Sequence, residues 1–123
     1  MSSILIVDDE DYICVLFKRV LEGSNYTVQV ARSGAEAIRS VKENAPDLVI
    51  LDVKMSEMDG IEAFKKIKAL QPKLKVMMMT GFSVEEKIVE ARELGALGCI
   101  HKPLDHIQEI VTIVKKALGE KAA

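Results

Sequence analysis

The chain has 123 residues, a length that fits one domain with its own buried core and is too short for two. Hydrophobic residues make up 49% of it, too many for a disordered tail, and a formal net charge of −2 excludes the basic footprint of a dedicated nucleic-acid binder. No apolar run approaches bilayer length and Met1-Ser2-Ser3 lacks the charged and apolar regions of a signal peptide, so the expected location is the cytoplasm, with no membrane or direct nucleic-acid partner.

Taken in chain order, strand-length apolar runs alternate with segments of helical period. Ile4-Leu5-Ile6-Val7 is continuous, as expected of a strand covered on both faces. Ile13, Leu16, Phe17, Val20 and Leu21 then form a helical stripe that Gly23 can end. Thr27-Val28-Gln29-Val30 alternates polar and apolar, the pattern of an edge strand with one wetter face. Ser33-Gly34-Ala35-Glu36 has the form of a capping box and opens a helix running to about Asn44, stopped before Pro46. Leu48-Val49-Ile50-Leu51 is again continuous, and Asp59 with Glu62 starts a third helix whose inner face is Ile61, Phe64 and Ile67. Val76-Met77-Met78-Met79 is the fourth strand. Ser83 with Glu86 resembles a second capping box, but the stripe behind it (Val84, Ile88, Ala91) is thin, so this fourth helix is expected to be the least firmly held. Gly98-Cys99-Ile100-His101 is short, which suits the other edge. Leu104, Ile107, Val111, Val114 and Leu118 mark the last helix. Ile110 and Ile113 lie off that stripe, and a wide buried face packed under the fourth helix is favoured over an exposed strip for a dimer or target contact. The expectation is one α/β domain over 1–123, (βα)₅ with a five-stranded parallel sheet in the flavodoxin-like order 2-1-3-4-5 and helices on both faces.

In such a sheet ligands bind beyond the carboxyl ends of the strands, near the reversal of strand order. The first strand is followed by Asp8, Asp9 and Glu10, the third by Asp52, the fourth by Thr80 and Gly81, and the fifth by Lys102 and Pro103. Singly these have plain explanations: a helix cap at Asp8 or Asp9, a turn former at Asp52, a solvated lysine at Lys102. Falling together at one end of one sheet, they point elsewhere. Converging carboxylates repel and call for a hard, oxygen-preferring cation, for which Mg²⁺ fits. One carboxylate can then attack phosphorus, with a lysine and a hydroxyl stabilising the phosphoryl oxygens. Cys14 and Cys99 lack metal-ligand spacing and read as two buried reduced thiols, and His101 and His106 carry no phosphodonor or zinc arrangement. Met55, Met58 and the Met77–Met79 run read as core or loop packing.

The stretches Ile6-Val7-Asp8-Asp9-Glu10, Asp47-Leu48-Val49-Ile50-Leu51-Asp52-Val53, Met58-Asp59-Gly60, Met79-Thr80-Gly81 and Lys102-Pro103 resemble the response-regulator receiver family along the whole chain. The resemblance implies that Asp52 is the phosphoacceptor and that Asp9, Asp52 and the backbone carbonyl of Lys54 ligate Mg²⁺, with Asp8 acting largely through water. It implies a switch hydroxyl at Thr80 with Gly81 beside it, a phosphoryl-pairing Lys102, and a cis Lys102–Pro103 peptide. The implied phosphodonor is a histidine kinase or phosphotransfer protein. The implied readout is the face made by the fourth helix, fifth strand and fifth helix, acting on a downstream protein, on an output domain of a longer chain, or through a phosphorylation-dependent dimer. No turnover of a separate substrate is expected. Ser56 replaces a usual proline, and Cys99 replaces the aromatic that usually changes rotamer with the switch residue. Either the output face is read differently, or Thr80 and the fourth helix carry the change alone; a phosphate-independent binding module is the alternative. Lys54 and Phe82, each two residues past a site residue, either shield the acyl phosphate from water or point into solvent.

Overall fold

The protein is described by a computed structural model that covers residues 2–55, 58–81, 85–102 and 107–120. Its elements run β1 Ser3–Val7, α1 Asp11–Glu22, β2 Thr27–Ala31, α2 Gly34–Glu43, β3 Leu48–Asp52, α3 Gly60–Leu70, β4 Lys75–Thr80, α4 Glu85–Glu93, β5 Cys99–His101 and α5 Ile107–Ala117. The five strands form one parallel sheet in the order β2-β1-β3-β4-β5, as the continuous and alternating runs predict.

Local chemistry sets the element ends. Ser33 caps α2 by accepting the Glu36 backbone N–H at 3.1 Å, and the Glu36 carboxylate reaches back to the Arg32 N–H. Asp59 caps α3 by accepting the Ile61 N–H at 2.7 Å and the Glu62 N–H at 3.3 Å. Glu10 stands at the N-cap of α1, and its own side chain makes no capping bond. Gly23 follows α1 with ordinary helical dihedrals, and Asn25 carries the left-handed turn at φ 68°.

The three inner strands, β1, β3 and β4, bury both faces, while β2 and β5 at the edges are partly exposed. Leu5, Val7, Val49, Leu51, Val76 and Met78 pack on one side against Ile61, Phe64 and Ile67 of α3, with Ala37, Val41 and Ala91 completing that layer. Ile4, Ile6, Ile50, Met77 and Met79 face Ile13, Phe17 and Leu21 of α1 on the other side. Phe17 and Phe64, both fully buried, anchor the two layers, each worth roughly 2–3 kcal/mol of transfer free energy.

Two expectations are corrected. The last helix packs on α1, not under α4, because α4 lies on the opposite face of the sheet. Among its described side chains the fully buried ones are Ile110 and Val114, with Val111, Ile113 and Leu118 only partly covered, so Ile110, placed off the stripe, belongs to the buried seam. The two thiols also differ: Cys14 is buried, whereas Cys99 is only partly so. Helix α4 is as thinly held as its sequence predicts, with Ala91 fully buried and Val89 52% exposed. Met55 and Met77–Met79 are core. Expectations at Ser56, Phe82, Ser83, Val84, Pro103, Leu104, His106 and 121–123, the Lys102–Pro103 peptide, and the side chain of Ile107 lie outside the described residues.

Candidate phosphoryl and metal site

Strand order reverses between β1 and its two neighbours, and the carboxyl ends of β1, β3, β4 and β5 meet beside that reversal. Asp52 is the last residue of β3 and Thr80 the last of β4, both buried; Asp8 directly follows β1 and is fully buried. The loop ends are pinned by backbone hydrogen bonds. The Asp8 N–H donates to the Ala31 carbonyl at 3.1 Å, the Val53 N–H to Met79 at 2.8 Å, and the Lys102 N–H to Thr80 at 2.8 Å. These bonds extend the ladder one residue past each strand and fix where the side chains emerge.

Asp8, Asp9 and Asp52 each offer a carboxylate oxygen within 4.8 Å of the others, with Asp8 and Asp52 buried and Asp9 exposed at the mouth. Lys102 reaches across from β5: its Nζ lies 2.7 Å from Asp8 Oδ2, 3.4 Å from Glu10 Oε1 and 3.5 Å from Asp52 Oδ2. Asp8 Oδ2 is buried without a well-aligned hydrogen bond among the described residues, so its contact with Lys102 acts through charge. Asp8 Oδ1 accepts the Glu10 N–H at 2.9 Å, and Asp52 Oδ1 accepts the Lys54 N–H at 3.3 Å.

The electrostatics follow from that crowding. Burial pushes the Asp52 carboxyl up to about 6, the Asp8 charge adds to the rise, and Lys102 and the Lys54 N–H oppose it. Burial alone would lower Lys102, but the adjacent carboxylates of Asp8, Asp52 and Glu10 outweigh it and hold the ammonium above its ordinary range. Below the acids, the buried Cys14 thiol donates to the Asp8 carbonyl at 3.3 Å and is pushed up to about 11 by burial and by the Asp8 charge. It is an inert thiol under the site, not a ligand in it.

A metal fits these residues on chemical grounds. The donor set is all oxygen, two carboxylates are withdrawn from water, and one lysine ammonium sits among three aspartates and a glutamate. That excess of negative charge suits a small hard dication better than a soft one.

The structure thus brings Asp8, Asp9, Asp52 and Lys102 together and sets buried Thr80 at the neighbouring strand end. Gly81 is exposed, and a Cβ there would sit 3.6 Å from Lys102 Cδ, an ordinary contact, so its place is at the rim beside the lysine stem. Lys54 contributes its N–H to Asp52 and is itself exposed. Two participants carry more than the sequence reading assigns them. Glu10, quoted there without a role, is the third carboxylate on Lys102. Gly60 packs so tightly under the acceptor loop that a Cβ would lie 2.0 Å from the Asp52 carbonyl oxygen, while its N–H donates to the Val53 carbonyl at 2.8 Å. The adjacent Asp-Gly pair hinted at a tight start to α3, but not at what it presses against.

Comparison with known proteins agrees with this geometry. Residues 4–115 match the family described as response regulator receiver domain. Transcriptional regulatory protein ZraR of Escherichia coli is 44% identical over 117 residues, covering 95% of this chain and 26% of ZraR, so the chain spans about a quarter of that relative's length. Sporulation initiation phosphotransferase F of Bacillus subtilis is 41% identical, with 98% of this chain and 97% of that protein covered. A solved CheY-like response regulator receiver domain protein from Methanospirillum hungatei superposes with a TM-score of 0.92 at 30% identity, covering 97% of this chain and 94% of that one.

Proposed function

The chain belongs to the response regulator receiver family, and on that premise we propose that it is the phosphoacceptor switch of a two-component system, with Asp52 as the acceptor. The observation that carries the reading is the pairing of a buried, poorly solvated Asp52 with a second buried acid and one shared lysine at the carboxyl edge of the sheet.

The proposed donor is a phosphohistidine on a histidine kinase or phosphotransfer protein. An Asp52 carboxylate oxygen forms the new O–P bond while the P–N bond to the donor imidazole breaks, and the bonding pair leaves on that nitrogen, which takes up a proton. Lys102, already 3.5 Å from Asp52 Oδ2, shifts from Asp8 toward the phosphoryl oxygens as negative charge arrives there. Thr80, one strand over, supplies the hydroxyl that follows the phosphoryl group, with Gly81 leaving the rim open. Asp9, Asp52 and the Lys54 carbonyl are the proposed Mg²⁺ ligands, with Asp8 acting largely through water. A bound Mg²⁺ supplies neutralisation of phosphoryl charge. The chain's own carboxylates would hold the cation in place, and the buried floor limits access of water to the acyl phosphate.

The product is a modified protein and not a released compound, so the role is signalling and not substrate turnover. The proposed output is a change of the α4-β5-α5 face, read by a partner protein or by an output domain such as a longer chain would carry. A phosphate-independent binding role is the competing reading, supported by Cys99 on β5 in place of the aromatic that resemblance leads one to expect.

The test is intact mass after incubation with acetyl phosphate and Mg²⁺. A single phosphoryl adduct is expected on the wild type, absent without Mg²⁺ and absent in Asp52→Asn. A wild type that takes no adduct overturns the phosphoacceptor reading and leaves the binding module.

A further inference from the structure

Helix α4 is the least anchored element of the molecule. Of its described side chains only Ala91 is fully buried, Ile88 is half-buried and Val89 is exposed. Hydrophobic burial therefore contributes little to its position, and polar ties weigh correspondingly more. Among the described residues two reach it from α3 and its N-cap: Lys87 Nζ lies 2.8 Å from Asp59 Oδ2, and Glu90 Oε2 lies a looser 3.9 Å from Lys65 Nζ.

Asp59 is an unusual anchor because both of its oxygens are engaged. Oδ1 caps α3 through the Ile61 and Glu62 N–H groups, which fixes the side chain, and Oδ2 meets Lys87. The carboxyl resists protonation: burial, the largest single influence, raises it, but the Lys87 contact and the two backbone N–H bonds together outweigh that and hold it below its ordinary range. The next residue, Gly60, sits directly against the Asp52 carbonyl and is bonded to the Val53 carbonyl. A continuous chain of short contacts therefore runs from the acceptor strand end through Gly60 and Asp59 to Lys87 on α4.

We propose that the Asp59–Lys87 ion pair is a latch that braces α4 in its resting position and ties it to the backbone of the Asp52 loop. The step from loop to helix position rests on the switch reading above; the bracing of α4 does not. A shift of Asp52 and Val53 moves Gly60, and with it Asp59 and α3's first turn, so the pair either drags α4 or breaks. Losing the pair without phosphorylation frees α4, which lowers the free-energy cost of the alternative arrangement.

The experiment compares wild type, Lys87→Gln, Lys87→Arg and Asp59→Asn, the last keeping an oxygen for the α3 cap. Amide hydrogen exchange is read in α4, with α1 as the internal reference, and the affinity for beryllofluoride with Mg²⁺ is measured on the same samples. Lys87→Gln and Asp59→Asn are expected to speed α4 exchange about two- to fivefold, the range for one half-exposed ion pair, with α1 unchanged. Both are expected to tighten beryllofluoride binding by a similar factor, and Lys87→Arg to stay near wild type because it keeps the pair. Unchanged α4 exchange in Lys87→Gln overturns the latch. Faster exchange with unchanged beryllofluoride affinity overturns its tie to the site. A wild type that binds no beryllofluoride while Lys87→Gln still loosens α4 supports the brace and sinks the switch reading instead.

Discussion

At the amino end of the sheet, Asp47 accepts the Ser3 backbone N–H at 2.7 Å, and Glu120 accepts the Tyr26 hydroxyl at 2.9 Å and the Ser2 hydroxyl at 3.3 Å. At the carboxyl end, Asp8 and Asp52 are more deeply buried and share Lys102, and Asp8 Oδ2 has no aligned donor among the described residues. Both ends carry acids, but among the described residues only the carboxyl end buries an acid oxygen, Asp8 Oδ2, without an aligned donor. At the amino end the acids meet hydrogen-bond donors, an arrangement that stabilises the fold. The carboxyl end keeps two carboxylates in repulsion, at a free-energy cost that a cation or a phosphoryl group can relieve. Function sits where the fold is electrostatically least content.

Asp52→Asn sharpens this contrast with the largest expected effect. The Asp52 carboxyl is raised from 3.8 to about 6, so between those values the folded state binds a proton that the unfolded state releases. Stability in the metal-free protein is then lost as pH rises through that window, by at most roughly 3 kcal/mol. Removing the charge is expected to raise metal-free stability at pH 7 by about 2–3 kcal/mol and to change little below pH 4. Urea denaturation across that pH range checks it, and a destabilised Asp52→Asn at pH 7 would break the comparison.

The amino end predicts the opposite sign and a smaller size. Tyr26 is buried, and burial with its bond to Glu120 pushes its hydroxyl up to about 12. Tyr26→Phe leaves Glu120 without that donor and is expected to lower stability by about 1 kcal/mol, without altering phosphorylation. A stabilised Tyr26→Phe in the same denaturation series would show that this end is strained too.

Much of this was legible in the chain. Parallel strands buried on both faces need uninterrupted apolar runs, and Ile4–Val7 and Leu48–Leu51 could scarcely be anything else. The caps at Ser33 and Asp59 are short-range events written in four consecutive residues. Placing Asp8, Asp9, Asp52, Thr80 and Lys102 at one end needed only the strand ends and the sheet order. Contacts set by rotation and approach were not legible. Whether α5 centres on Ile110 or on Val111 depends on how the helix turns against α1, and a stripe wide enough for both does not say. The close approach of Gly60 to the Asp52 carbonyl, which leaves no room for a Cβ, and the reach of Lys87 to Asp59 depend on tertiary approach between segments that sequence spacing does not encode.

The measurement that bears most directly on the contrast between the two ends is thermal stability as a function of Mg²⁺ concentration, in wild type, Asp9→Asn and Tyr26→Phe. If the crowded carboxylates are the cation site, Tm of the wild type rises progressively with Mg²⁺, as linkage requires of a ligand that binds only the folded state. The rise should be largely lost in Asp9→Asn and retained in Tyr26→Phe. A wild-type Tm indifferent to Mg²⁺, or a rise that survives in Asp9→Asn, would contradict the account.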